Sequence, residues 1–224
     1  MSCYSAKIVL PEKLYHGTSL KINSDELKGF SQQMLNRNYW GYGKDFGLGF
    51  YTTHLFEQSK EWAERAPIKR ARYEHISSDH YRACVLQIKF DLTKVRNPQI
   101  LMFTDASRTW AQFILENRLQ TKKSLPALDW DPDIVIGYMA DNSTNKLVSQ
   151  FKFDDSYTFD MFYDDIQRKE SGVPLRMDQL GNQYNFCSED MNAALELEGC
   201  YLLEKGEWMY HGIDDPYLSR FGLL

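Results

Sequence analysis

"KLYHGTS", residues 13 to 19, is the stretch on which the fold prediction depends. It places His16 between an apolar dipeptide and a Gly-Thr-Ser turn, near the start of a chain of 224 residues. The longer segment "KIVLPEKLYHG" predicts a first strand, with Pro11 at its edge and Gly17 at its end. A lone histidine at a strand end ordinarily bonds to backbone. His16 therefore indicates a site only if partners occur elsewhere in the chain.

A glycine bend precedes a second extended segment in "KDFGLGFYTTH", residues 44 to 54. Gly47 and Gly49 allow a sharp turn and a close backbone approach. They lead into Phe50 and Tyr51, whose side chains point to opposite faces of a strand. One ring can enter the core while the other lies over a cleft, although a buried aromatic pair is equally common.

The third stretch is "GNQYNFCSED", residues 181 to 190. Its "YNFC" predicts a short strand that Gln183 opens, and Ser188 predicts the N-cap of a helix over "SEDMNAALEL". A glutamine at such a position is usually solvated. Gln183 is therefore a site candidate only in combination with other residues.

The other segments complete an α+β pattern. Helices are expected in "LKINSDELKGF" with Ser24 as N-cap, in "HLFEQSKEWAERA" until Pro67 ends it, in "DASRTWAQFILENRLQ", and with breaks from Asp141 to Glu170; strands are expected in "YRACVLQIKFDL" with one buried face, in "DIVIGYMA" and in a final "CYLLE". The glycines form no GxGxxG or GxxxxGK pattern, and strict strand–helix alternation is absent. We expect one domain, residues 1–224, with a split or strongly bent sheet.

Composition narrows the classes of function. The net charge of −5 argues against a protein whose whole surface grips nucleic acid, although a local basic patch is compatible with it. The four cysteines show neither a CxxC pair nor metal-ligand spacing, which favours reduced thiols, a cytoplasmic location and no metal; they are Cys3, Cys84, Cys187 and Cys200. No apolar run reaches the length of a signal peptide or a membrane span.

Taken together, the motifs resemble the ADP-ribosyltransferase superfamily, in its His-Tyr branch with bacterial toxin-like members. The resemblance rests on "LYHGTS", "DFGLGFYTT", "QSKEWA", "DIVIGYMAD" and "NQYNF" in this order, from Leu14 to Leu203. It implies a sheet split into two halves, with NAD as substrate in the crevice between them.

The resemblance also implies roles for single residues. His16 would bond a ribose hydroxyl of NAD, and the backbone of Gly17, supported by Thr18, would hold the nicotinamide amide. Tyr51, followed by Thr52, would stack on the nicotinamide ring. Gln183 matches the family's third catalytic position.

Gln183 departs from the glutamate that is usual at that position. Cleavage of NAD builds positive charge on the ribose, which a carboxylate stabilises and an amide meets only with a dipole. Three alternatives follow: Gln183 suffices, as related toxin-like members that carry Gln indicate; Glu189 supplies the charge; or the chain binds NAD without much chemistry. The first is favoured, because Glu189 lies at an expected helix start, where acids serve the helix dipole.

The acceptor is less defined. Protein-arginine modification in this superfamily usually needs an acid two positions before the catalytic residue, and that position here is Gly181. A nucleic-acid base with an exocyclic amine fits better, and a basic loop in "RAPIKRAR" could bind its phosphates. The residues of that loop are Arg65, Lys69, Arg70 and Arg72. The alternative interpretation, equally compatible with the sequence, is a solvated loop whose positive charges balance nearby acidic residues.

Other features allow two readings each. The aromatic residues Tyr39, Trp40 and Tyr42 frame a substrate entrance or form a lid over NAD. The acidic stretch "FDDSYTFDMFYDD" is an exposed helix face with buried rings, or a surface for an inhibitory antitoxin protein.

The leading hypothesis is therefore a cytoplasmic mono-ADP-ribosyltransferase of toxin type that modifies a macromolecule, with RNA or DNA favoured. The alternatives are a protein-modifying transferase, an NAD glycohydrolase and a binding module with weak catalysis. No membrane contact is expected.

Overall fold

A computed structural model describes residues 10–119, 131–140, 144–168 and 181–223. The strands and helices are β1 Lys13–Lys21, α1 Glu26–Gln32, β2 Phe50–Thr53, α2 Phe56–Glu74, β3 Tyr81–Phe90, β4 Ile100–Met102, α3 Arg108–Leu119, β5 Ile134–Tyr138, α4 Thr144–Phe153, α5 Phe159–Ile166, β6 Asn182–Phe186, β7 Leu195–Glu204 and β8 Glu207–Gly212. Short 3-10 turns connect several of them. The expected α+β class is confirmed.

The strands form an eight-stranded sheet in the order β4-β5-β6-β2-β1-β3-β7-β8. All neighbours are antiparallel except β4 and β5. The two central strands, β1 and β2, pair at a single position, Tyr15 opposite Thr53. By contrast, β1 pairs with β3 along its whole length, from Lys13 to Lys21. We call the weakly paired junction of β1 and β2 the seam.

Helices cover one face of the sheet on both sides of the seam. Helix α2 packs on β1 and β3, where Ala63 meets Val85 and the partly buried Tyr15. Helices α3 to α5 form a second cluster over β5, which includes Trp110, Phe162 and, at its edge, Tyr51. Because Tyr15 and Thr53 are opposite each other, and Tyr51 shares the face of Thr53, both helical groups lie on the same face. The largest apolar cluster covers the other face.

Helix α2 corrects one prediction. Pro67 does not end this helix, which continues to Glu74, so the basic residues between 65 and 72 lie on a helix and not in a loop. A proline inside a helix costs about 3 kcal/mol. Burial of Ala63 before it and Ala71 after it against the sheet offsets that cost. The helix ends at His75, whose backbone is left-handed with φ 56°.

Two strands differ from their predictions, β1 in its length and β3 in its burial. Gly17 does not end β1, which runs on to Lys21 because every residue from Lys13 is paired with β3. Strand β3 is buried on both faces, because α2 covers one and the main cluster the other. Alternation of side chains had predicted only one buried face.

The ends of the chain's elements gave further corrections. Asp25, not Ser24, occupies the N-cap position of α1, without a capping hydrogen bond from its side chain, and the Ser24 hydroxyl donates to the carbonyl of Lys21. Ser188 does cap a helical turn, but that turn is a 3-10 segment, and "LEL" already begins β7. Strands β4 and β8 were not predicted; β4 has three residues, and β8 follows a turn at Gly206.

Three further predictions of secondary structure agree with the structure. Helix α3, strand β5 and the broken helices α4 and α5 lie where they were predicted, although residues 141–143 and 169–170 of the last prediction are outside the described ranges. The thiols of Cys84, Cys187 and Cys200 are free, while Cys3 lies outside the described residues. Within the described ranges, each helix is too short or too polar to cross a bilayer.

Candidate functional site

Gly17 lies where α2 crosses β1 most closely. A Cβ atom built on Gly17 would lie 2.1 Å from the carbonyl oxygen of Ser59 and 3.0 Å from the backbone nitrogen of Ala63. Only glycine allows the helix backbone to approach the strand this closely. Thr18 follows it in β1, half-buried and opposite Cys84 of β3.

The imidazole of His16 spans the seam. Its Nδ1 lies 2.7 Å from the carbonyl oxygen of Tyr51, and its ring packs 4.4 Å from that of Phe50. Burial lowers the pKa of His16, partly offset by the carbonyl. A neutral ring with a carbonyl at Nδ1 must carry its proton there, so Nε2 is left as a hydrogen-bond acceptor. This is the form that can accept a bond from a sugar hydroxyl.

Tyr51 fixes the glycine bend that precedes β2. Its hydroxyl donates to the carbonyl of Gly47 at 2.7 Å and accepts from the backbone nitrogen of Phe46 at 2.9 Å. Burial, and after it the negative charge of Asp45, raises the pKa of the phenol well above its ordinary value. The hydroxyl therefore stays protonated, and the ring is held with its edge in the bend.

A buried amide holds the same bend from the other side. Asn185, fully buried in β6, donates to the carbonyl of Phe46 at 2.9 Å and lies opposite Tyr51 in the sheet. A Cβ on Gly49 would lie 2.1 Å from the Asn185 side-chain oxygen, so this position requires glycine. These contacts of Asn185 fix the glycine bend against β6.

Gln183 lies in the same row of the sheet as the seam. It is opposite Thr53 of β2, and Thr53 is opposite Tyr15 of β1. Its side chain is 4% exposed and shares the helix-covered face with Tyr51. Thr52, on the other face, is also buried, and its hydroxyl lies 3.4 Å from the carbonyl of Tyr184.

The structure thus brings the three distant motifs together at the seam. His16 touches the backbone of Tyr51, and Gln183 pairs with the residue two positions after Tyr51. They do not share one face: the His16 ring packs against Phe50, whereas Tyr51 and Gln183 face the helices. Across the seam, the contact between them is the one from His16 Nδ1 to the backbone carbonyl of Tyr51.

Sequence reasoning missed Asp45, which lies next to Gln183. The carboxylate is 7% exposed and accepts from Arg118 of α3, with Nε–Oδ1 2.8 Å and a second nitrogen at 2.6 Å. Its other oxygen, Oδ2, lies 3.4 Å from Nε2 of Gln183. An acid in a glycine-rich loop ordinarily signals solvent exposure. No local pattern could have shown that α3 and β6 bury this one.

The four basic residues assigned to substrate binding divide into two groups. Arg65, Lys69 and Arg72 are exposed on α2 and, with Glu64 and Ile68, line a shallow groove of about 330 Å³. Arg70 instead turns inward to ion pairs with Glu26 and Glu74 and lies over the Tyr81 ring.

Glu189 is separate from the site. Its carboxylate accepts from the backbone nitrogen of Arg37 at 2.8 Å, in the first turn of the 3-10 segment that Ser188 caps. Of the loop aromatics, Tyr39 and Tyr42 are 84% and 73% exposed, while Trp40 packs against the main cluster.

Two further observations concern hollows and possible metal ligands around the site. A second hollow, of about 190 Å³, lies between β4, β5 and β6 near Tyr138, and neither hollow is lined by His16, Tyr51 or Gln183. In the part of the chain that the structure describes, no group of three or more histidine, cysteine or acidic side chains is arranged to hold a metal ion.

Comparison with known proteins gave one match. Neither curated proteins nor solved structures matched the chain. A family model described as "Protein of unknown function (DUF3990)" matches residues 13–197, a range that contains β1, the glycine bend, the seam and β6. The chain therefore belongs to the DUF3990 family of proteins of unknown function.

Proposed function

We propose that this protein is a mono-ADP-ribosyltransferase of toxin type that transfers ADP-ribose from NAD to a macromolecule, with nucleic acid favoured over protein as the acceptor. In this proposal the sheet is the split sheet of the ADP-ribosyltransferase-like fold. The two halves are β4-β5-β6-β2 and β1-β3-β7-β8, and NAD binds at the seam between them.

The observation that carries the proposal is that His16, Tyr51 and Gln183 lie on the adjacent strands β1, β2 and β6, with the His16 ring on the face opposite to the other two side chains. These residues come from three strands that are far apart in the chain, yet all lie within two residues of the row formed by Tyr15, Thr53 and Gln183. The resemblance assigned the same three residues to one dinucleotide.

The chemistry available at the seam fits the reaction. His16 presents a neutral Nε2 that can accept from a ribose hydroxyl, and Gln183 offers an amide oxygen for the same purpose. The bond between the nicotinamide nitrogen and the ribose carbon breaks, and its electron pair leaves with nicotinamide. The acceptor's nucleophile then bonds to that carbon and releases a proton to solvent.

The preference for nucleic acid rests on the exposed cations and rings of α2 and on their closeness to the glycine-rich loop. Burial and the positive charges of Lys69 and Arg118 lower the pKa of Lys44, so cations of α2 and α3 lie close to the glycine-rich loop. The same helix α2 exposes Trp62 at 48% and Tyr73 at 85%. Cations to pair with phosphates and rings to stack on bases are what single-stranded nucleic acid requires.

The test is transfer of label from NAD. Purified protein is incubated with NAD labelled in its adenylate half and with separate pools of RNA, DNA and protein, while nicotinamide release is measured. We expect label in a nucleic-acid pool. His16→Ala and Tyr51→Ala should abolish nicotinamide release, and a native circular dichroism spectrum shows that the loss does not come from unfolding.

Matched controls are His75→Ala and Tyr210→Ala, which remove an exposed histidine at the end of α2 and an exposed tyrosine on the edge strand β8. Full activity in both site variants would overturn the site assignment. Free ADP-ribose as the only product would favour a glycohydrolase, and NAD binding without nicotinamide release would favour a binding module. Absence of both binding and release in the wild-type protein would refute the proposal.

A further inference from the structure

The contact between Gln183 and Asp45 determines which way the Gln183 amide faces. A carboxylate only accepts hydrogen bonds, so the group that Gln183 turns toward Asp45 must be its NH₂. The amide oxygen is then directed away from Asp45. Burial of both side chains, 4% and 7% exposed, leaves little room for a second arrangement.

Arg118 holds Asp45 in place for this contact. It donates to Oδ1 of Asp45, while its Nη1 donates to the side-chain oxygen of Asn145 at 2.7 Å. Oδ2 of Asp45 is thereby aimed at Gln183. Because the guanidinium compensates the charge of Asp45, the carboxylate acts through geometry more than through its field.

The same contact makes a glutamate at position 183 unfavourable. Its carboxylate would lie at hydrogen-bond distance from that of Asp45, and two such groups cannot both stay ionised without strong repulsion. One would take up a proton or the pair would separate. An amide at position 183 avoids this repulsion because it can donate a hydrogen bond to the carboxylate of Asp45.

We infer that Asp45 is a positioning residue that orients the Gln183 amide oxygen toward the ribose of NAD, and that it is the reason why this site uses glutamine. This inference rests on the proposed function, since the orientation serves catalysis only if NAD binds at the seam. It further implies that a glutamate at position 183 supports a high kcat only when position 45 carries an amide.

The experiment compares Asp45→Asn, Gln183→Glu and the double variant. In Asp45→Asn, the new amide oxygen serves Arg118 and its NH₂ faces Gln183, which must flip and present NH₂ to the substrate. We expect kcat to fall at least about tenfold, with little change in KM. The kcat of Gln183→Glu should fall by a similar factor. In the double variant the new amide at position 45 donates to the new carboxylate at position 183, and kcat should recover at least about tenfold over Gln183→Glu.

A readout independent of turnover separates this inference from the proposed function. The destabilisation caused by Gln183→Glu should grow as the pH rises above the ordinary carboxyl pKa of about 4, because the folded pair holds a proton that the unfolded chain releases. This pH dependence should be smaller in the Asp45→Asn background, where burial of the glutamate acts without the neighbouring carboxylate. The control is Asp160→Asn, which removes the exposed ion pair with Arg108 and should leave kcat unchanged.

The outcomes are distinct. An active wild-type enzyme whose Asp45→Asn variant keeps its kcat, or whose double variant is no better than Gln183→Glu, overturns the inference and leaves the proposed function standing. A pH-dependent coupling of stability without any NAD binding overturns both the proposed function and the catalytic role of Asp45, while the contact itself remains.

Discussion

At the scale of single residues, Gly17 has one of the most restrictive environments among the described glycines. Gly17→Ala places a methyl group 2.1 Å from the Ser59 carbonyl oxygen, so either α2 or β1 must shift. We expect the free energy of unfolding to fall by about 3 kcal/mol, at the upper end of the usual overpacking cost. Urea unfolding followed by circular dichroism measures it.

Gly29→Ala is the matched control. Gly29 lies inside α1, and nothing is within 4 Å of the position that its Cβ would take. Alanine in a helix interior is favoured over glycine by about 0.5–1 kcal/mol. The control should therefore raise stability. If Gly17→Ala raised stability in the same way, α2 would not contact Gly17 closely in solution.

His16 predicts a dependence of stability on pH. Its pKa is lowered by burial, so between that pKa and the ordinary value of 6.5 the unfolded chain binds more protons than the folded one. Stability contributed by the neutral ring is present above pH 6.5 and is lost as the pH falls below it. The imidazole resonances of His16 in an NMR titration should show a midpoint below 6.5.

The variant His16→Asn keeps a donor for the Tyr51 carbonyl and removes the titrating ring. The stability difference between wild type and this variant should change with pH only below about 6.5. A midpoint at or above that value would contradict the burial of the ring and, with it, the tautomer on which the site depends.

Individual site residues were predictable to different degrees. His16, Tyr51 and Gln183 could be named from motifs because each motif combines a reactive side chain with glycine or a strand start. Asp45 and Asn185 could not be named, because their burial depends on β6 inserting beside β2 from more than about 130 positions away. The sequence pattern near each of them indicates only a polar loop or a strand.

At the scale of elements, α2 shows how packing overrides a local signal. Pro67 removes one backbone donor from the helix, and the sequence alone favours a break there. Pro67→Ala restores this donor without changing the buried face. We expect stability to rise by about 2 kcal/mol, which is the helix cost of proline less the entropy that proline removes from the unfolded chain.

Thermal and urea unfolding measure this change, and the helical circular dichroism signal serves as an internal check. Ala66→Gly, one position earlier on the same helix, should lower stability by about 1 kcal/mol. If Pro67→Ala proved destabilising, the proline would be shaping the helix and not merely tolerated within it.

Elements were predicted well where their period was long and regular. Helix α3 and strand β5 have clear helical spacing and a continuous apolar run, and both were placed correctly. Strand β4 has three residues, too few to show any period, and "LEL" near residue 195 fits a helix as well as the strand it joins. Such short segments take their conformation from neighbouring strands.

At the scale of the whole molecule, the seam predicts uneven protection of the backbone. Between β1 and β3 the strands pair over all nine residues of β1, whereas β1 and β2 pair at one position. Amides of β2 that face β1 should exchange with solvent much faster than those of β3, as measured by hydrogen exchange with NMR detection.

Addition of NAD should slow exchange at the seam. Because Gln183 is only 4% exposed, a dinucleotide that contacts it must displace side chains there and then cover the strand edges. Amides at the far edge strand β8 provide the reference and should not change. Protection that appears at β8 or along the outer face of α2, with none at the seam, would place the ligand elsewhere.

The strand order also has a consequence for synthesis on the ribosome. Strand β2 emerges early, but its partner β6 ends at Phe186, and β3 receives β7 only when residue 204 has been made. Pairings of such long separation form late, since the intervening chain must first close a large loop. A nascent chain therefore lacks the β6 side of the site until Phe186 has been made. Activity at the site, whatever its target, must wait until β6 has been synthesised and has paired with β2.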